Sequence, residues 1–529
     1  MTYDAAVIGA GHNGLVCAAY LARAGKRVAV FERRHLVGGS AVTEEVFPGC
    51  RVSRLAYVNS LFRMEIVRDL NLKSYGLEFL PREPSSFSPF PDDTYLMLGS
   101  NLEQNQKEIS KFSPRDAERL PAYEEALDTI SQWVETLWDR IPPDPLSNRL
   151  RDLWTLGNIA RKLRKSGPLF LRRLTDLFSL SAADFLDRWF ESGPLKATLA
   201  TDGVIGAMAG PFTPGTAYVL LHHVMGETDG KRGLWCYIRG GMGALSQSIA
   251  MACDDLGVDI RTETPVERIA FEGEARGVIL TTGETVNARV VVSSADPHVT
   301  FLNLLPEEAL PGDFRRSIQE MDFKSAVAKM NLRLTELPEF TAIKGKGAGP
   351  QHRGTIHICP SLDYLERAYD DAKYGMPSRE PFLECTIPTS IDDSLAPAGT
   401  HLMGIFCQYA PYRLRGSNWD REKEPFANRI IDTVTRYAPN FRRSIEDYEL
   451  LLPPDMERIF GLTGGNIFHG SMTLNQLFFM RPVLGWSNYR TPVRRLYLCG
   501  SGAHPGGGVT GAPGRNASRV ILRDLAKLR

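Results

Sequence analysis

The sequence has no surplus of either charge. Lys+Arg and Asp+Glu stand at 62 each, so the formal net charge is zero. That argues against a binder of duplex nucleic acid, which carries a basic excess to neutralise phosphates. The eight cysteines lie at 17, 50, 236, 253, 359, 385, 407 and 499, without a Cys-x-x-Cys pair or clustered metal-ligand spacing. They read as small buried hydrophobes in a reducing compartment, neither a disulfide frame nor a metal site. No apolar run is long enough to span a bilayer as a helix. The first strand-like run starts at Tyr3, which leaves no room for a signal or transit peptide ahead of it. The expected location is therefore cytoplasmic, with peripheral membrane contact as a refinement taken up below. There is no internal repeat and no low-complexity tract. At 529 residues, 43% hydrophobic and 23% charged, the chain has ordinary globular composition. Length alone suggests roughly three domain-sized units.

What is present begins at the N-terminus. Tyr3–Ile8 reads as a buried strand, followed by Gly9-Ala10-Gly11-His12-Asn13-Gly14. An Ala- and Leu-rich helix is expected over Leu15–Ala24, then an apolar strand over Arg27–Phe31 with Glu32 at its end. A Gly-x-Gly-x-x-Gly run carries meaning only in this strand–turn–helix–strand–acid context. Gly9 permits the tight turn, Gly11 lets backbone approach a pyrophosphate, and Gly14 lets helix and strand pack closely. The helix start offers free amides and partial positive charge to phosphate. Glu32, followed by Arg33, is placed to accept hydrogen bonds from an unphosphorylated ribose, so FAD or NAD rather than NADP. Val37-Gly38-Gly39-Ser40 follows at short range and favours FAD, whose phosphates would meet those amides.

A second glycine-rich turn closes the chain. Arg495–Cys499 reads as a strand entering Gly500-Ser501-Gly502-Ala503-His504-Pro505-Gly506, and a helix is expected over about 512–527 with Pro513 in its first turn. A helix start near Gly511-Ala512 would stabilise charge on the N1–C2=O edge of a reduced flavin. The two turns would then grip one ligand from both ends. Between them, helices are expected over Gln104–Ile141 and Asn148–Lys165, strands and one helix over 245–292, and a mixed region over 323–460.

Other features weigh less. Arg239-Gly240-Gly241-Met242-Gly243 has no apolar strand ahead of it and is not read as a second nucleotide loop. Gly345–Gly349 lacks a following helix and reads as a surface loop. His222, His223 and His469 lack companion ligands at metal spacing, so they line a substrate cavity or satisfy core hydrogen bonds. Trp235 and Tyr237 are placed as cavity wall, and Thr473, Asn475, Phe478 and Phe479 as weaker substrate-side candidates. His504 is the strongest polar candidate for the reaction centre. No Ser-His-Asp or Cys-His set is legible. Residues 149–173 carry eight Arg and Lys against Asp152 alone, interleaved with Leu150, Leu153, Trp154, Ile159 and Leu163. Such a helix lies on an anionic bilayer, or else it is a solvated face or a contact between protomers.

Three segments together, AVIGAGHNGLVCAAYL (6–21), RGGMGALSQSIA (239–250) and YLCGSGAHPGGGVTGAPGRNASRVIL (497–522), resemble the phytoene desaturase-like branch of FAD-dependent oxidoreductases. The likeness runs from end to end and also takes in 31–45, 218–227 and 464–482. It implies an α/β fold: a discontinuous Rossmann-like, two-dinucleotide-binding FAD domain with an inserted α+β substrate domain. The FAD domain is expected over 1–75, 233–300 and 485–529. The substrate domain is expected over 76–232, mainly helical, and 301–484. By family pattern Gly9, Gly11, Gly14, Glu32, Gly38 and Gly39 hold FAD. The Val266 backbone meets the adenine, and Gly502, Gly511 and Ala512 face the isoalloxazine. An arginine sometimes follows the Gly-Gly pair in that family; Ser40 stands there in this chain.

The expected activity is hydride removal from, or other oxidation of, a hydrophobic small molecule, with oxygen or a quinone as candidate acceptor. A carotenoid desaturase or ketolase proper is the runner-up. An FAD-bearing scaffold without turnover is the alternative of another class.

Overall fold

The computed structural model describes residues 2–228 and 231–528. Tyr3–Ile8 and Val28–Phe31 are parallel neighbours, buried in continuous apolar runs rather than in alternation. That pattern belongs to a parallel strand covered on both faces. Thr285–Ser293 pairs with the other edge of Tyr3–Ile8, and Leu496–Leu498 with Thr285–Ser293. Asp259–Arg261 flanks Val28–Phe31. The parallel order is therefore Asp259–Arg261, Val28–Phe31, Tyr3–Ile8, Thr285–Ser293, Leu496–Leu498. The start of Thr285–Ser293 also leads into an antiparallel ladder through Ala275–Leu280 to Val266–Phe271. One sheet is thus assembled from the two ends and the middle of the chain.

The first helix spans His12–Arg23, three residues earlier than the Ala- and Leu-rich pattern implies. Packing overrides propensity here, because a Cβ on Gly14 would sit 2.2 Å from the Gly9 carbonyl oxygen. The C-terminal helix Ala512–Leu525 lies against it, with a Cβ at Gly514 falling 2.2 Å from the Asn13 oxygen. The expected helix over Gln104–Ile141 is two, Leu102–Ser110 and Pro114–Trp138. Ser113 divides them, its Oγ accepting from the Asp116 amide at 3.1 Å, with Pro114 at the first helical position.

The second sheet runs Ile445–Leu451, Val327–Leu334, His401–Gln408, Phe382–Thr386, Thr355–Ile358, Ser86–Pro89, Tyr95–Leu98. It is antiparallel except where Ser86–Pro89 meets Thr355–Ile358. Strand alternation splits its residues between two faces. Ala328, Met330 and Leu332 pack with Phe426, Ile430 and Val434 of the helix Trp419–Thr435. Val327 and Phe406 belong instead to the core shared with the helical layer. Lys329, two residues on from Val327, lies on that same inner face.

All eight cysteines are buried, and among the described residues none forms a disulfide. Among the described residues, no helix is long and apolar enough to cross a membrane.

Candidate functional site

A cavity of about 500 Å³ runs from the first glycine turn to the inner face of the second sheet. At one end Gly9, Gly11, His12, Asn13, Glu32, Arg33, Gly38, Gly39, Ser40 and Val266 line it. Gly9 turns the chain at φ +91°. The helix His12–Arg23 has no side-chain cap and no acid in its first turn, so its leading amides are left for an anion. The two glycine segments approach closely: the Gly38 amide donates to the Ala10 carbonyl at 2.8 Å. A Cβ on Gly39 would come within 3.3 Å of Gly11 Cα.

Glu32 is held by backbone. Its Oε2 accepts from the Ala10 amide at 2.9 Å and its Oε1 from the Arg34 amide at 3.0 Å. Carboxylate lone pairs remain for ribose hydroxyls. The Arg33 guanidinium turns away to the carbonyls of Arg458 and Ile459, at 3.2 and 2.9 Å. His12 Nε2 and Asn13 Oδ1 are buried without a partner among the described residues. Burial, then His469, pushes the His12 imidazole down to about 3, so it is neutral. A glycine cradle, free helix amides, a pinned acid and orphaned polar atoms together fit a dinucleotide.

The C-terminal turn reaches the cavity through Ser501, Gly508 and Val509. Asn13 Nδ2 donates to Ser501 Oγ at 3.1 Å and joins the two turns. Gly500 and Gly502 pack behind it, where a Cβ would lie 2.3 Å from the Ser294 oxygen and 2.2 Å from Pro297 Cδ. Gly511 caps the last helix at φ +71° and abuts Ile66, and Ala512 is buried beside it. Gly14, Gly500, Gly502, Gly511 and Ala512 thus shape the site without lining the cavity.

Of the substrate-side candidates, His469 alone lines the cavity. His222 lies one layer behind, 5.1 Å from the Trp138 ring, and would meet a Cβ on Gly508 at 3.0 Å. His223 Nδ1 bonds the Val219 carbonyl at 2.9 Å, and its ring stacks on Trp235. Tyr237 faces the Arg82 guanidinium at 5.3 Å. Phe478 packs on Phe178 and Tyr218, while Phe479 is exposed. Thr473 and Asn475 do not line the cavity either.

His504, expected at the reaction centre, does not line the cavity. Its Nε2 pairs with the Leu137 carbonyl at 3.0 Å and its ring packs near Phe478, outside the cavity lining. Burial pushes it down to about 4, so the imidazole is neutral. The Arg239–Gly243 run is structural as well. The Gly240 amide donates to Asp392, Met242 to Ser53 and Gly243 to Thr43, at 2.7, 3.0 and 2.9 Å.

The far wall was not legible in the sequence. Tyr57, Phe406, Ile467, Phe468 and Val509 form it. Behind Tyr57, the Lys329 ammonium sits 4.8 Å from the ring centroid, fully buried and without a hydrogen-bond partner among the described residues. Burial, then the nearby Glu384 carboxyl, raises the Tyr57 hydroxyl, although the buried Glu384 Oε2 has no hydrogen-bond partner among the described residues. Burial pushes Lys329 down to about 7 and Glu384 up to about 7. A lone lysine inside the apolar run AVAKMNL was the one signal available. Arg481 is a second omission. Completely buried, it donates to the carbonyls of Ser501, Gln476, Ser471, Phe468 and Gly470, tying the last turn to the 468–476 loop. Burial lowers it to about 10.

Comparison with known proteins agrees with this geometry. The chain is 49% identical to pyridine nucleotide-disulfide oxidoreductase domain-containing protein 2 of Rattus norvegicus, over 99% of this chain and 94% of that protein. It is 27% identical to one component of the limonene dehydrogenase of Castellaniella defragrans, over 99% and 95% of the two chains. It is 23% identical to a lycopene-forming phytoene desaturase of Paracoccus, over 99% and 98%. Among solved structures, an oxidoreductase from Methanosarcina mazei shares the fold with a TM-score of 0.60 at 15% identity, covering 98% of this chain and 99% of that one. Residues 14–336 match the family described as flavin containing amine oxidoreductase. With its dinucleotide cradle built for FAD, the chain belongs to the flavin-containing amine oxidoreductase family of FAD-dependent oxidoreductases.

Proposed function

We propose that this FAD-dependent oxidoreductase removes a hydride from a C–H bond of a small hydrophobic molecule. The observation that carries the reading is the apolar wall opposite the cradle, built by Tyr57, Phe406, Ile467, Phe468 and Val509. FAD supplies a two-electron acceptor, and the protein supplies position, water exclusion and electrostatics. The names of two relatives, limonene dehydrogenase and phytoene desaturase, support a hydrocarbon-like substrate class. The cavity is about 500 Å³, within the roughly 300–1,000 Å³ that suits one drug-sized ligand.

Oxidation of a C–H bond to an unsaturated product releases a proton as well as a hydride. Tyr57 faces the cavity with Glu384 behind it. Glu384, ionised and with its charge offset by Arg82 and Lys329, takes the Tyr57 hydroxyl proton as that oxygen takes the proton from the substrate, leaving Tyr57 unchanged and Glu384 neutral. The acceptor of the second half-reaction is oxygen or a quinone.

The test is anaerobic mixing of the yellow holoprotein with a panel of monocyclic terpenes, linear isoprenoids and carotenes, followed by readmission of oxygen or a soluble quinone. Bleaching of the flavin bands by a compact hydrophobic member, and their return with the acceptor, is the expected result. Bleaching by carotenes alone would favour a carotenoid desaturase. A flavin that photoreduces but never reoxidises with any acceptor would favour a scaffold without turnover.

A further inference from the structure

The helices Leu150–Lys165 and Gly167–Ser179 form an outer arm with a face that the rest of the molecule leaves uncovered. No residue of the first helix is buried. Leu150 is 85% exposed and Trp154 72%, and Leu146, Leu153 and Leu169 are exposed near them in sequence. Clustered large apolar side chains of this kind mark a contact surface. Helical spacing puts Leu150, Leu153 and Trp154 on the same face as Arg161, Arg164 and Lys165. Leu156, Ile159 and Leu163 take the opposite, half-buried face.

The charge on this face has little counterweight among the described residues. Over 149–173 the one acid is Asp152. Among the described residues Arg161, Lys162, Arg164 and Lys165 form no ion pair. Arg173 rests over the Trp189 ring at 5.5 Å, and Arg172 only just reaches Asp176 at 4.0 Å. A second copy docking through the same face would bring like charges together, so the geometry disfavours a symmetric dimer there. An apolar tip surrounded by cations matches the headgroup boundary of an anionic bilayer.

We propose that the arm docks the molecule on an anionic membrane surface. Leu150, Leu153 and Trp154 enter the acyl boundary, and the lysines and arginines around them meet lipid phosphates. A groove at the foot of the arm, about 550 Å³ and lined by Ile130, Trp133, Leu169, Phe170 and Arg173, gives an acyl chain apolar walls and its phosphate a cation. The arm is rooted on the layer of residues behind the site. Phe178 packs 4.9 Å from Tyr218 and 5.5 Å from Phe478, which adjoin His222 and His504. A docked molecule therefore holds the back of the cavity close to the membrane. The docking does not depend on the identity of the substrate.

The experiment is flotation of the holoprotein with vesicles of phosphatidylcholine alone, or of phosphatidylcholine mixed with phosphatidylglycerol, at low and high salt. Wild type should float with the anionic vesicles only. R161Q/K162Q/R164Q/K165Q should weaken that binding by about fivefold per cation removed. L150S/L153S/W154S should abolish the salt-resistant fraction and the blue shift of tryptophan fluorescence on binding. These positions are exposed, so the flavin spectrum and thermal midpoint of both variants should match wild type and serve as controls. Wild type that stays unbound with both vesicle types, or floats equally with uncharged ones, would overturn the proposal. So would a dimer on gel filtration that L150S/L153S/W154S splits into monomers.

Discussion

Asn13 and Ser501 are 488 residues apart in the chain and 3.1 Å apart in the fold, Nδ2 to Oγ. This bond locks the N-terminal phosphate turn to the C-terminal turn, and both side chains border the cavity. It turns two separate glycine loops into one cradle.

Asn13→Ala should therefore weaken FAD binding more than it weakens the fold. Losing one buried hydrogen bond costs about 1–2 kcal/mol, or roughly 5–30-fold in affinity. Fluorescence titration of apoprotein with FAD measures this. Ser501→Ala should cost a similar amount, and the double variant should cost less than the sum. Unchanged affinity in both singles would mean that the cradle closes without this bond.

Gly14→Ala should be severe, since the new Cβ would fall 2.2 Å from the Gly9 oxygen, a backbone atom with no room to give. Overpacking of this kind costs about 1–3 kcal/mol or more, and the displaced turn should lose flavin. Gly157→Ala is the contrast: nothing lies within 4 Å of its Cβ, in a helix interior. It should stabilise by up to about 1 kcal/mol. Thermal melts of the two variants should move in opposite directions.

The buried ionisable set behind Tyr57 predicts a pH profile. Burial holds Glu384 protonated up to about 7, with Arg82, Tyr57 and Lys329 acting the other way. Asp202 is pushed up to about 7 by burial and by Glu384. A carboxyl that must be ionised to take a proton works only above that value. Substrate-dependent flavin reduction should rise through about pH 7, and Glu384→Gln should remove that limb. Lys329 shifts downward, so its effect on stability worsens as pH falls toward about 7, where the buried ammonium must be charged. Lys329→Met should raise the melting temperature more at pH 6 than at pH 8. The reverse order would contradict a buried, desolvated lysine.

His504→Gln should retain kcat within a few fold, because the imidazole holds the Leu137 carbonyl rather than lining the cavity. His504→Ala should lose about 1–3 kcal/mol of stability through the stranded carbonyl. A large loss of flavin reduction rate in the glutamine variant, with the melt unchanged, would return His504 to the chemistry.

The nucleotide end of the site is written in short stretches of sequence. Strand runs Tyr3–Ile8 and Val28–Phe31, the glycine turn, Glu32 and the Gly38-Gly39 pair are close along the chain, and each obeys a local rule of turn geometry or burial. The structure places them on one cavity wall with no rearrangement beyond an earlier helix start. The basic, apolar character of 149–173 is equally legible, because it needs only composition and helical spacing. The other wall comes into being only when the chain folds. Tyr57, Phe406 and Phe468 come from three distant segments and carry no shared period. Lys329 and Glu384 sit in strands whose pattern assigns a face but not what that face meets. His504 looks reactive by its position in a glycine-rich turn, yet its direction is set by Leu137, 367 residues away. Local rules place backbone; which side chains share a cavity depends on long-range packing that no short window records.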